Sequence, residues 1–169
     1  MVPQVGEEYS IPAVDILTRQ EWQVRETWFS GSAEILIGDA RFLYKNTPLL
    51  DLALGLRFTV GLLAADGMAT MDVPGGPGIR LAVTGNKVIT QSGEEDEGVC
   101  EFIDLAHASS VFIRALTDQI VQYRPEFLFA DLIERTYRES GVREMSRDRF
   151  LVHTQMMRSR SALIQGGRF

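Results

Sequence analysis

Three residues close together in this sequence could do chemistry: Cys100, Asp104 and His107. A thiol, a carboxylate and an imidazole are the parts of a nucleophile, its base and the group that orients the base. Their placement works against that reading. Cys100 falls in a short stretch that reads as a strand, and His107 falls in the first turn of the helix that follows. Nothing beside them suggests an oxyanion hole. The pattern favours a small buried thiol and a surface histidine, and no catalytic residue is expected. His153, the other histidine, lies among arginines far along the chain and completes no cluster.

Metal and phosphate chemistry are equally poorly supplied. Two distant histidines and one cysteine do not make a ligand set. The acidic run Glu94, Glu95, Asp96 and Glu97 lacks the alternating oxygen ligands and central glycine of a calcium loop. It reads as a solvated loop, and as the best candidate for docking a basic partner. Pro74-Gly75-Gly76-Pro77-Gly78 joins two strands and carries no Gly-Lys-Ser/Thr end, so turn chemistry accounts for it. Ser30-Gly31-Ser32 lacks the pattern of a nucleophile elbow. Trp22, Trp28 and Phe29 could floor a ligand pocket, although aromatics on a strand more often fill a core. No cofactor and no metal are expected.

Composition narrows the class. A hydrophobic fraction of 45% with 24% charged residues suits a soluble globular protein of one core. A net charge of −6 disfavours general nucleic-acid binding, which needs a basic footprint, and suits steering toward a basic protein. The single cysteine excludes an internal disulfide framework and points to a reducing compartment. The first residues offer neither a basic nor an apolar stretch of a signal peptide, and the longest apolar run holds Asp51, Arg57 and Asp66. A cytoplasmic location with no membrane partner is the expectation.

The elements that would position these residues are legible from spacing. Tyr9 to Val14 reads as an edge strand and Trp22 to Phe29 as a strand with its aromatics on one face. Ala33 to Ile37 and Ala40 to Tyr44 alternate about Gly38-Asp39, the pattern of a tight hairpin. Asn46 or Thr47 can cap a helix over about residues 48–65 that is apolar nearly all round. Such a helix must be covered on several sides, and Gly55 and Gly61 within it suggest close packing. Met68 to Val73, Ile79 to Val83, Val88 with Ile89 and Val99 to Ile103 read as further strands. Asp104 can cap a helix from Leu105 to about Tyr123, a third helix runs from Glu126 to Glu139, and a fourth is expected from Ser146 to about Ile164. The fold class is α+β: an antiparallel sheet of about six strands, the inserted apolar helix, and C-terminal helices.

Charge divides the chain. After Gly141 come Arg143, Arg147, Arg149, Arg158, Arg160 and Arg168 against only Glu144 and Asp148. Residues 1–140 read as an α+β body and residues 141–169 as a basic helical tail of the same unit.

The segment Ser32 to Tyr44, followed by Pro48 to Leu54, resembles small acidic bacterial immunity proteins encoded beside polymorphic toxins. The likeness spans about residues 20–138 and lies in architecture, so no functional residue is carried over. It implies a non-enzymatic protein that neutralises a cognate toxin by occlusion, with Glu94, Glu95, Asp96 and Glu97 facing a basic cleft. The alternative is a self-associating assembly subunit, part of a secretion or phage structure, whose basic tail docks on a neighbour. A small-molecule binder built around Trp22 and Trp28 ranks third.

Overall fold

The computed structural model describes residues 4–5, 29–73, 75–91, 98–140 and 147. The strands expected at Tyr9–Val14 and Trp22–Phe29, the acidic run at 94–97 and the fourth helix fall outside them, apart from Phe29 and Arg147. The α+β class holds. The strands, however, divide between two antiparallel sheets instead of sharing one. The first sheet orders β1 (Gln4–Val5), β2 (Ser30–Ile37) and β3 (Ala40–Pro48). Helix α1 (Leu49–Asp66) follows without a loop. The second sheet is a meander of β4 (Met68–Met71), β5 (Ile79–Thr84), β6 (Lys87–Thr90) and β7 (Val99–Glu101). Helix α2 (Phe102–Tyr123), a 3-10 turn (Pro125–Phe129) and helix α3 (Asp131–Ser140) complete the described fold.

Both tight hairpins form where expected. Gly38 and Gly85 take φ values of 55° and 63°, which suit glycine at the head of a primed turn. The helix starts differ from the sequence reading. Pro48 occupies the N-cap of α1 with no side-chain cap, and Asn46 instead takes φ 53° as β3 bends toward the helix. The first free N–H, that of Leu49, is satisfied by the Phe29 carbonyl at 2.8 Å. Helix α2 starts at Phe102, ahead of Asp104, because the Asn86 carbonyl accepts the Phe102 N–H at 2.7 Å. Asp104 sits in the first turn, where a negative charge still suits the helix end. The third helix is split: extended Ala130 separates the 3-10 turn from α3, leaving Leu128 exposed.

Helix α1 buries Leu49, Leu52, Leu56, Val60 and Leu63 among residues of both sheets and of α2. Phe29 and Phe127 meet edge to face at 5.4 Å, tying the strand entry to the 3-10 turn. Between α2 and α3 the core is polar in one place. Thr117 donates to the Ile113 carbonyl at 2.6 Å, Thr136 to that of Ile133 at 2.8 Å, and the two hydroxyls lie 3.2 Å apart. Arg57, the one buried cation of α1, is held down to a pKa of about 10 by burial, which the charge of Glu139 opposes.

The two sheets meet at two seams, and glycine makes both possible. A Cβ at Gly38 would stand 2.6 Å from the Val99 carbonyl oxygen, and one at Gly98 would collide with that of Ile37. At the second seam a Cβ on Gly76 would stand 2.7 Å from the buried Tyr44 ring, whose hydroxyl donates to the Pro77 carbonyl at 3.1 Å. The close packing expected at Gly55 and Gly61 is not there: an added Cβ at either would meet nothing within 4 Å among the described residues.

Gly98→Ala drives a methyl into main chain that cannot step aside. It should cost at least the upper end of the about 1–3 kcal/mol of an overpacked site. Gly75→Asn, at φ 74° in open space, should shift stability little. Urea unfolding midpoints of the two variants check the contrast.

Candidate functional site

The Cys100–Asp104–His107 group is only partly brought together. Cys100 is half-buried on β7, opposite Val88 of β6. Burial pushes its thiol up from an ordinary value near 9.0 to about 11, and the charges of Asp104 and Glu101 push the same way. That is the reverse of a reactive cysteine, which sits among positive groups that favour the thiolate. His107 is half-buried on α2, and its Nδ1 has no hydrogen-bond partner among the described residues. The carboxylates beside the thiol oppose its ionisation, so the group is not arranged for nucleophilic attack.

Among the described residues no cluster of three or more His, Cys, Asp or Glu could hold a metal ion, and no helix is long and apolar enough to cross a membrane. The acidic residues Glu94, Glu95, Asp96 and Glu97 and the aromatics Trp22 and Trp28 lie outside the described residues. The segment carrying the four acids joins the fold at Gln91 and Gly98. Gly98 is buried, donates its N–H to the Thr90 hydroxyl at 2.7 Å, and abuts the hairpin tip at Ile37 and Ala40.

That hairpin carries a surface that the spacing analysis passed over. Residues at even steps along β2 and β3 point inward: Ala33, Ile35 and Ile37, with Ala40 and Tyr44, are buried. The opposite face presents Leu36, 63% exposed, and Leu43, 54% exposed. Leu36 stands opposite Arg41 and Leu43 opposite Glu34, and Arg41 pairs with Glu34 between them. Scattered exposed leucines are ordinary. Two of them around an ion pair on one β-face form a compact apolar patch with a charged centre. The signal was present in the sequence as apolar residues at the outward positions of the hairpin.

A second surface cluster joins α2 to α3. Arg114 donates to Asp118 at 3.1 Å, Tyr137 donates to the same carboxylate at 2.9 Å, and the guanidinium lies 4.6 Å over the Tyr137 ring. Burial raises the Tyr137 pKa, and Asp118 adds to the rise. The Asp118 carboxylate thus links Arg114 of α2 to Tyr137 of α3, and the cluster staples the two helices.

No family model, curated protein or solved structure matches the chain. The functional reading therefore rests on the surfaces themselves.

Folding holds the Cys100 proton more tightly than the unfolded chain does. Its stabilising contribution is complete below about pH 9 and is lost as pH climbs through about 11. The rate of reaction with a disulfide reagent such as Ellman's should keep rising beyond the ordinary thiol range. A plateau near pH 9 would contradict the half-buried, carboxylate-flanked geometry.

Proposed function

We propose that this protein is a non-enzymatic binding protein, an immunity protein that neutralises a basic toxin domain by occlusion. The observation that carries the reading is the hairpin. Its outer face offers Leu36 and Leu43 as apolar anchors, and its tip touches Gly98, where the chain returns from Glu94, Glu95, Asp96 and Glu97. A basic protein surface requires both apolar anchors and negative charge from its partner. Buried apolar contact sets how long a complex lasts, while charge raises the rate at which it forms. The whole chain, at −6, repels nucleic acid and favours the same class of partner. The raised Cys100 pKa disfavours the thiolate, which supports the non-enzymatic reading.

The mechanism is steric. An inhibitor of this kind covers the partner's active cleft with preformed structure and performs no chemistry of its own. A cytoplasmic protein that must outpace a toxin benefits from electrostatic steering, because association is then fast at low ionic strength.

Tagged full-length protein should capture one stoichiometric foreign protein from its own cells, more at low salt than at high salt. Neutralising the four acids together (Glu94→Gln, Glu95→Gln, Asp96→Asn and Glu97→Gln) should slow association about tenfold or more and flatten its salt dependence. Leu43→Asp should act mainly on dissociation. Recovery of the protein alone, in multiples, would replace this reading with self-assembly.

A further inference from the structure

The register of the β2–β3 hairpin arranges its outward side chains as a rectangle. Glu34 stands opposite Leu43, and Leu36 stands opposite Arg41. The two leucines therefore share one diagonal, and the ion-paired Glu34 and Arg41 share the other. Diagonal neighbours on a sheet face are close enough for long side chains to meet. Both leucines are more than half exposed, Arg41 is exposed, and Glu34 is half-buried.

This layout is complementary to itself. A two-fold axis along the leucine diagonal brings a second copy face to face with the first. Leu36 and Leu43 lie on that axis and meet their own counterparts. The axis exchanges the ends of the other diagonal, so Glu34 of each copy comes over Arg41 of the other. Each guanidinium keeps its own carboxylate and gains a second one, and the charges close into a ring of alternating sign. Other orientations do worse. An axis along the charged diagonal sets Glu34 on Glu34 and Arg41 on Arg41. Axes along or across the strands set every charge over a leucine, which desolvates it with no new partner. In the favoured orientation the strands of the two copies cross at near right angles, one of the two ways in which sheet faces pack.

We propose that this face is a contact between two copies of the chain, paired hairpin to hairpin about an axis through Leu36 and Leu43. A two-fold contact needs the same patch to fit itself, and the printed register supplies both the apolar and the charged half of that fit. The contact uses the face assigned above to a toxin, but it does not rest on that reading, because self-complementarity follows from the register alone. Where the toxin reading also holds, the second copy covers the leucines until the toxin displaces it.

Sedimentation equilibrium of the purified full chain tests this over a range of concentrations. Each copy carries a net charge of −6, so physiological ionic strength is used to screen the long-range repulsion. The protein should show a reversible monomer–dimer equilibrium. Glu34→Arg and Arg41→Glu should each weaken the dimer about tenfold or more, since like charges then meet across the axis. Mixing the two variants should restore it, because every cation of one chain then faces an anion of the other. Leu43→Asp leaves the ion pair intact and places a carboxylate on its own counterpart; it should also weaken the dimer about tenfold or more. A chain that stays monomeric throughout, a dimer that all three variants keep, or a mixture that stays monomeric overturns the proposal. Failure of the toxin reading shows separately, as the absence of a foreign partner in the capture from cells.

Discussion

Helix α1 is apolar on nearly every side, and a helix of that kind has no stable place at a surface. Its burial sets the layout around it. One sheet leads into the helix and another leads out, so the strands on either side of it are drawn apart into two layers. Helix α2 closes a further side. A single sheet could cover only one stripe of α1. Splitting the strands lets the fold cover more of it with short, local connections, and the remaining stripe is the one that Phe58 marks.

The division has a cost at the boundaries between the layers, where backbone must approach backbone. Glycine meets it at Gly38 and Gly98, and Gly76 does the same against the Tyr44 ring. Between α2 and α3 the buried hydroxyls are met within the helices themselves. The Thr117 and Thr136 hydroxyls each return to a carbonyl of their own helix while meeting each other, so the α2–α3 contact holds hydroxyls without leaving them unmet. Among the described residues the exposed leucines Leu36 and Leu43 of the hairpin lie on the face opposite the core.

Much of the fold was legible because periodicity reports burial directly. The hairpin at Gly38-Asp39, the helix over Leu49–Asp66 and the buried face of α2 at Leu105, Phe112, Leu116 and Ile120 all follow from alternation or helical spacing. What spacing missed was decided by partners distant in sequence. The first N–H of each helix goes to a distant carbonyl, Leu49 to Phe29 and Phe102 to Asn86, so α2 begins ahead of Asp104 and α1 begins after Pro48. Gly55 and Gly61 suggested tight contact within the fold, but no local signal distinguishes a glycine pressed by a neighbour from one facing open space. The seam glycines hid for the same reason: Gly98 reads as the end of an acidic loop until Ile37 is placed against it. The candidate site was less legible than the fold, because a binding face is composed of ordinary residues in outward positions, whereas catalytic sets announce themselves by type.

The first seam has an evolutionary consequence. Side-chain cores drift by trading volume, one residue growing as its neighbour shrinks. The nearest atoms to a side chain at Gly38 or Gly98 are main-chain atoms, which every sequence possesses, so trimming a neighbouring side chain such as Ala40 would not make room there. Divergent descendants of this chain can exchange nearly every leucine around α1 and keep the fold, while these two positions have no compensating partner to drift with.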